Sequence, residues 1–399
     1  MKKAKKIQAG RLVGLTALLL FFYGFLLGGQ QLVMMDIAAE YQVGTKGMGG
    51  LVSAQHVAAV IMPLCMGVTA DRIGKKKVLV TFAFLFGMGC AFAGFSGSVW
   101  VYLIGACLMG SGYSVCESVS AAVLTDLDSE QGMRYINITQ FLLSVGAILS
   151  PVILQFCMKN LNANWRIGFW ICAAGFFAVT MLLAGSKFPE KRERKVEEES
   201  GGSTMSLMQK GMIGCFLISV ILYVGLENGF GYFVNPLFAI QLKQADLGAM
   251  AISGYWAGMS VSRLLCGLKN YNAEKMLLAC FSTSGLLFLL LAFTRLPWLS
   301  VGLSFLLGMA FGPIWSTLVA LAAEVCPEKA AGVLGVISAG SGMGGIIYPI
   351  LMGVLSERYS LPIAFASLGA TAFLGFLLCF WTRAGKETEQ DCAENKPVL

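Results

Sequence analysis

The sequence carries little charge. Asp, Glu, Lys and Arg together make up 13% of the 399 residues, about half of the roughly 25% that is usual in soluble domains. A soluble fold of this size needs more polar surface than these residues supply, so the shortage excludes an ordinary soluble protein. Hydrophobic residues make up 57% of the chain instead.

Signals for several kinds of site are also missing. The 12 cysteines show no paired spacing of the metal-binding type, and most lie in apolar segments, where a small apolar side chain suits helix packing. His56 is the only histidine, so a metal site has no second ligand in view. The chain has no Walker motif for ATP and no nucleophile–base arrangement. We therefore expect no metal, no cofactor and no enzymatic activity.

Apolar runs of about 20 residues fill the chain, and each is long enough to cross a hydrocarbon core about 30 Å thick. There are twelve of them, at 12–35, 47–69, 78–97, 99–124, 134–157, 166–185, 210–236, 247–268, 276–294, 298–323, 331–355 and 362–382. The first run is too long for a cleaved signal peptide, and eleven more follow it. The sequence predicts an all-α membrane protein with twelve transmembrane helices, numbered here as spans 1 to 12.

Most of the 29 Lys and Arg residues lie in the tails and in alternate connecting segments. Basic residues favour the cytoplasmic side of a membrane, so this distribution predicts that both termini are cytoplasmic. It also explains the net charge of +7, and we infer no nucleic-acid partner from that charge. We expect a monomer that crosses the lipid bilayer of a bacterial inner or plasma membrane many times.

The second half of the chain repeats the first at an offset of about 200 residues. The matched pairs are Tyr23 with Tyr223, Leu26 with Leu226, Gly29 with Gly229, Ser53 with Ser253, Gly67 with Gly267, Gly110 with Gly308, Gly146 with Gly344, and Pro151 with Pro349. Such a repeat predicts two six-helix bundles related by an axis along the membrane normal. The predicted bundles are 1–185 and 210–382, joined by a cytoplasmic linker at 186–209 and followed by a tail at 383–399.

The segment GVTADRIGKKK at 67–77 follows span 2. It resembles the loop motif G-x-x-x-D-R-x-G-R-K of the major facilitator superfamily, which implies a gate that joins the two bundles on the cytoplasmic side. The motif residues are Gly67, Asp71, Arg72, Gly74 and Lys75. We expect Asp71 to act on the N-terminal dipole of span 11, around residues 330–332. The second bundle has only a degenerate copy of the motif, GLKNYNAEK at 267–275.

Further motifs are similar to those of the fucose permease-like branch, which contains sugar:proton symporters. They are YVGLENGFGYFVNP in span 7, GYWAGMSVSRLLCG in span 8 and GMAFGPIWSTLVAL in span 10. Glu117 in span 4 matches the branch's carboxylate, which implies a role in sugar binding and proton coupling. The branch also has an aspartate in span 1, where this chain has Gln31.

The resemblance implies a central cavity lined by spans 1, 4, 7 and 10. The polar residues there are Gln30, Gln31, Ser114, Glu117, Asn228, Tyr232, Asn235, Trp315, Ser316 and Thr317. Amides, hydroxyls and aromatic faces suit a small neutral polar solute, and sugars are one such class.

Three titratable residues within the spans have two readings each. An acid in hydrocarbon is costly and usually serves function, so Glu117 either binds the proton and solute or bonds a neighbouring helix. Glu227 in span 7 either lines the cavity or pairs with Arg263 of span 8. His56 in span 2 either hydrogen-bonds to another helix or takes part in transport.

We predict a secondary transporter that moves a small polar organic solute by alternating access, coupled to protons. A drug or metabolite exporter is the first alternative. Exporters usually carry a G-x-x-x-G-P-x-x-G-G motif in span 5, and GAILSPVIL here lacks its trailing glycine pair, which favours import. The second alternative, a sensor that binds solute without moving it, commonly needs an added soluble domain, for which these tails are short.

Overall fold

A computed structural model describes residues 2–127, 131–188, 207–268, 271–325 and 330–394, with the side chains at some of these positions not included in the description. This part of the chain forms thirteen α-helices. They are α1 Lys2–Glu40, α2 Thr45–Ile73, α3 Lys75–Gly94, α4 Val99–Leu127, α5 Gly132–Asn160, α6 Ile167–Ala184, α7 Leu207–Pro236, α8 Gly248–Leu268, α9 Ala273–Phe293, α10 Pro297–Phe311, α11 Ile314–Val325, α12 Ala330–Arg358 and α13 Leu361–Glu394. A π-helical turn, Leu237–Gln241, and a 3₁₀ turn, Ala245–Leu247, connect α7 to α8.

The thirteen helices fit the twelve predicted spans because α10 and α11 together form span 10. Their break falls at Gly312 and Pro313, where proline lacks the N–H that would continue the helical hydrogen bonds. The other helices match the predicted runs to within a few residues, apart from α1 and α13, which are longer. Span 11 is therefore α12, and span 12 is α13.

Nine segments in the described part of the chain are long and apolar enough to cross a membrane. The chain is therefore a multi-pass membrane protein. The nine do not include α2, α8 and α12, in each of which the side chains at some positions lie outside the description. These three helices pack at the interface between the two halves of the molecule.

The helix packing is the same in both halves of the chain, here called the N-half (2–188) and the C-half (207–394). In the N-half, α1 packs on α5, α2 on α4, and α3 on α6; in the C-half, α7 packs on α12, α8 on α10, and α9 on α13. Across the halves, α2 packs on α12 and α5 on α8. The predicted twofold relation maps the α2–α12 pair onto the α8–α5 pair, since α2 corresponds to α8 and α5 to α12.

Glycines that the sequence repeat aligns make equivalent contacts. A Cβ atom on Gly146 of α5 would overlap the carbonyl oxygen of Phe21 in α1, and one on Gly344 of α12 would overlap the carbonyl oxygen of Ile221 in α7. Both sites bring two backbones into direct contact, which only glycine permits. The repeat therefore reflects equivalent packing in the two halves.

Hydrogen bonds join the halves at the end of the bundle where residues 41–44, 161–166 and 242–247 connect helices, here called the distal end. They run from Lys46 to Glu357, Ser53 to Ile346, Gln155 and Lys159 to Asp246, Asn235 to Leu32, Ser253 to Ile148, and Trp256 to Gln31. The structure therefore shows the distal end closed.

A polar cluster fastens three helices of the N-half at the distal end. The Trp165 indole Nε1 donates to Glu40 Oε2 at 2.7 Å, and the Arg166 guanidinium donates to both carboxylate oxygens of Glu40 and to the carbonyl oxygen of Ser96. The Arg166 guanidinium also lies 4.2 Å from the centre of the Trp165 ring. Glu40 thus ties the end of α1 to the start of α6.

Glu40→Gln should lower the stability of the protein by about 1 to 2 kcal/mol, because the neutral amide loses charge-assisted hydrogen bonds that are partly exposed to solvent. Thermal unfolding in detergent measures the effect. Asp246→Asn is the matched control, since the carboxylate there is 68% exposed and pairs with a Lys159 side chain that is 61% exposed. An equal loss in both variants would show that the Glu40 cluster contributes no more than a surface pair.

Candidate functional site

Glu117 lies in α4, ten residues before the helix ends at Leu127, which is about 15 Å at 1.5 Å per residue. The sequence predicts a shallower position, seven residues and about 10 Å from the end, because it ends the span at 124. The Glu117 Oε1 atom accepts a hydrogen bond from the Gln140 amide of α5 at 3.1 Å. Tyr113, one turn earlier in α4, interacts with the same carboxylate. Both of these contacts are with neutral groups.

Tyr113 connects the acid of α4 to α1. Its ring stacks on Tyr23 with the ring centroids 3.7 Å apart and the planes 10° from parallel, and the two hydroxyl groups interact. Tyr113 and Gln140 are not among the residues chosen from the sequence. Their signals are weak ones: an aromatic residue four positions before an acid on the same helix face, and an amide inside an apolar run.

Glu227 of α7 shares its surroundings with Tyr223 and with Arg263 of α8. The carboxylate interacts with the Tyr223 hydroxyl and, at longer range, with the Arg263 guanidinium. Glu227 and Arg263 are not among the direct ion pairs of the described residues, which are Lys75–Asp126, Lys159–Asp246 and Glu40–Arg166. The Arg263 Nε atom instead donates to the Gly312 carbonyl at the α10–α11 break, at 3.3 Å. Both sequence readings of Glu227 therefore keep some support.

The two acids belong to one region in the middle of the molecule. The carboxylates of Glu117 and Glu227 interact electrostatically, and Tyr23 interacts with both. Glu117 and Glu227 are only partly buried, so both residues keep some accessible surface. Acids from α4 and α7 and the Tyr23 ring of α1 therefore belong to one electrostatic cluster, and the central cavity stays a prediction.

The two glutamines of α1 are engaged in buried contacts. The Gln30 amide donates to Gln55 Oε1 at 3.2 Å and to the Tyr102 hydroxyl at 3.4 Å. The Gln31 carbonyl oxygen accepts from the Trp256 indole of α8 at 2.9 Å, and the side chains of Gln30 and Gln31 are almost fully buried. Gln31 was predicted as a solute ligand, but in this conformation its oxygen joins the two halves.

Three more predicted residues bond to backbone. The Ser114 hydroxyl and the Asn228 amide each donate to the carbonyl four residues earlier in their own helix, which satisfies a polar group inside an apolar segment. The Asn235 amide donates to the Leu32 carbonyl of α1 at 2.6 Å. Asn235 therefore joins α7 to α1. The hydroxyl oxygen of Ser114 and the side-chain carbonyl oxygen of Asn228 can each still accept a hydrogen bond.

The other predicted cavity residues differ in exposure. Tyr232 and Thr317 are buried, and the Thr317 hydroxyl has no partner among the described residues. Trp315 is partly buried and Ser316 is exposed, with its hydroxyl donating to the Pro313 carbonyl. α11 therefore presents Trp315 and Ser316 to accessible space.

The expectation that His56 hydrogen-bonds to another helix is not supported. Its Nδ1 atom lies 3.2 Å from the carbonyl oxygen of Val52, four residues earlier in its own helix. The ring instead packs on α12, and a Cβ atom on Gly345 would overlap it. Among the residues with described side chains, no group of three or more His, Cys, Asp or Glu could hold a metal ion.

The loop motif is described in part. Gly74 has φ 99°, a conformation that favours glycine, and it ends α2 and starts α3. The Lys75 Nζ atom pairs with Asp126 Oδ2 of α4 at 2.6 Å, so Lys75 binds within the N-half. The surroundings of Gly67 and the side chains of Asp71 and Arg72 lie outside the description, as do those of residues 330–332, so the contact expected for Asp71 stays a prediction.

The family model of the Major Facilitator Superfamily matches residues 16–268 and 216–397, which together cover nearly the whole chain. The chain belongs to the Major Facilitator Superfamily, as the loop motif indicated.

Curated relatives include transporters of different kinds. The chain is 23% identical over 267 residues to the glucose/mannose transporter GlcP of Bacillus subtilis, which covers 64% of this chain and 65% of the relative. It is 23% identical over 188 residues to a D-xylose transporter of Levilactobacillus brevis, covering 47% and 40%. It is 27% identical over 203 residues to the multidrug resistance protein MdtL of Escherichia coli, covering 50% and 51%. The matches thus span less than two thirds of each relative.

Solved structures share the fold over almost the entire chain. The nucleoside transporter NupG superposes with a TM-score of 0.76 at 16% identity, over 94% of this chain and 99% of that one. A bacterial homologue of the human lysosomal transporter Spinster gives 0.75 at 12% identity, over 95% and 97%. The Escherichia coli fucose:proton symporter FucP gives 0.64 at 17% identity, over 95% and 99%. The resemblance to the fucose permease-like branch is thus confirmed at the level of the fold.

Proposed function

We propose that the protein is a secondary active transporter that moves a small polar organic solute by alternating access, coupled to protons. The observation that carries this proposal is the Glu117 carboxylate, which lies within the membrane-spanning helix α4, is only partly buried and accepts a hydrogen bond from the neutral Gln140 amide, in a molecule with two equivalent halves. A carboxylate held by neutral partners can bind and release a proton at low structural cost, and acids placed at membrane depth usually serve such a relay.

Sugars are the solute class that we propose first. Two of the relatives are described as sugar transporters. The central region also offers tyrosine and tryptophan faces for a sugar ring, and carboxylates and amides for its hydroxyl groups. We further propose that the bundles are 1–185 and 210–382, that both termini are cytoplasmic, and that the distal end faces outwards in a bacterial cell membrane. A monomer contains the complete central region.

Uptake into liposomes tests the proposal. Purified protein is reconstituted into liposomes, and a pH gradient is imposed with the lower pH outside. The entry of labelled glucose, mannose and xylose is then measured together with the entry of protons. Solute accumulation with proton entry is expected, and dissipating the gradient should reduce accumulation to equilibration. Binding of sugar without any flux would contradict the proposal in favour of a sensor.

An exporter is the second candidate, and the match to a multidrug resistance protein favours it. In an exporter, the pH gradient acid outside would drive solute out, so the liposomes would lose preloaded dye or drug while none of the sugars entered. The direction of solute movement under one fixed gradient therefore separates the two candidates.

A further inference from the structure

The first turn of α2 has no capping side chain of its own. The helix starts at Thr45, and the position before it is Gly44. The first N–H groups of a helix have no partner within the helix, and a Ser, Thr, Asp or Asn side chain at the preceding position usually accepts from one of them. α2 therefore depends on an acceptor from elsewhere.

That acceptor comes from the other half of the molecule. The backbone N–H of Lys46 donates to the carboxylate Oε2 atom of Glu357, in the last turn of α12, at 3.1 Å. A Cβ atom on Gly44 would lie 2.8 Å from the same oxygen. Lys46 is the second residue of the helix, one of the two positions that a capping side chain serves. The Glu357 carboxylate thus occupies the place of the missing cap, and its negative charge suits the positive end of the helix.

The capping contact lies at the distal end of a close helix pair. A Cβ atom on Gly49 of α2 would overlap the Pro349 carbonyl oxygen of α12, and one on Gly353 of α12 would lie 2.6 Å from the Thr45 carbonyl oxygen of α2. The two backbones touch along this seam. The bond from Lys46 to Glu357 therefore exists only while α2 and α12 are together at the distal end.

We propose that Glu357 is a positioning residue that holds the distal end closed, by capping α2 across the interface between the halves. This inference rests on the proposed function, because alternating access requires the distal end to open. When the distal end opens, the Lys46 N–H group loses its hydrogen bond to Glu357 and is hydrated instead. The contact therefore favours the closed arrangement. We call the contact of Glu357 with residues 44–46 the distal latch.

Glu357→Ala removes the acceptor, and the energy of a typical helix cap predicts an increase of about fivefold in the ratio of distally open to closed molecules. Single-molecule distances report this ratio, between fluorophores attached through a bioorthogonal amino acid at positions 161 and 296. Both side chains are exposed, at 64% and 63%, and they lie at the distal end of different halves. Asp246→Ala is the matched control, because it breaks an exposed ion pair between the halves and should change the ratio less than about twofold.

A second variant separates the latch from ordinary helix capping. Gly44→Ser in the Glu357→Ala background gives α2 a cap of its own, with no bond to the C-half. The thermal stability should return towards that of the original protein, while the distance distribution stays shifted towards open molecules. Recovery of the closed population, or equal shifts in the Glu357 and Asp246 variants, would overturn the proposal. The fluorophore distances are measured without any solute. Absence of sugar uptake would therefore count against the proposed function, but it would not change the test of the distal latch.

Discussion

Glu117→Gln should abolish uphill accumulation of the solute while leaving exchange intact. The glutamine resembles the protonated acid and cannot titrate, and its amide oxygen can still accept the hydrogen bond that Gln140 now donates to Glu117 Oε1. With one proton per solute, a gradient of one pH unit supports about tenfold accumulation in the original protein. The variant should reach a ratio of about one, because solute movement no longer depends on the gradient.

Two assays on one liposome preparation check this result. Counterflow of labelled against unlabelled solute, without a gradient, reports exchange, and uptake under the gradient reports coupling. Asp246→Asn is the matched substitution of an exposed carboxylate, and it should accumulate solute normally. Accumulation by the Glu117→Gln protein would show that Glu117 is structural and that coupling lies elsewhere, with Glu227 as the next candidate.

The sequence predicts the spans and the repeat well, because both depend on local features of the chain. A run of about 20 apolar residues has few alternatives to a membrane helix, and the glycines that the repeat aligns are kept by close backbone contact, as at Gly146 and Gly344. Glu117 could also be chosen from the sequence, since a carboxylate within an apolar run is costly.

The partners of these residues could not be predicted from local features. Gln31 has the residue type of a solute ligand, yet its oxygen accepts from Trp256, which is 225 positions away in the chain. Lys75 belongs to a loop motif that implies a gate between the bundles, yet its side chain pairs with Asp126 within the N-half. The helix that a polar side chain contacts depends on how the two halves meet. This arrangement is set by the packing of all the helices together.

Arg263→Gln should destabilise the protein, and adding Glu227→Gln should reverse most of the loss. The Arg263 guanidinium compensates the Glu227 carboxylate at longer range and also donates to the Gly312 carbonyl. Removing either charge leaves the other without compensation, which costs about 3 to 5 kcal/mol in a buried pair in direct contact. Because this pair is not in direct contact and Glu227 keeps accessible surface, we expect about 2 kcal/mol for each single variant.

The double variant decides between the two readings of Glu227. If the acid serves mainly to balance Arg263, the double variant should lose no more than about 1 kcal/mol, about 3 kcal/mol less than the sum of the single effects, which is at the upper end of the range measured for interacting residues. Thermal unfolding in detergent gives the stabilities, and counterflow shows whether exchange returns with them. Additive losses would mean that the two charges act independently. Restored stability without exchange would place Glu227 in the solute pathway, because the charge would then be needed for transport after the structural need for it has been removed.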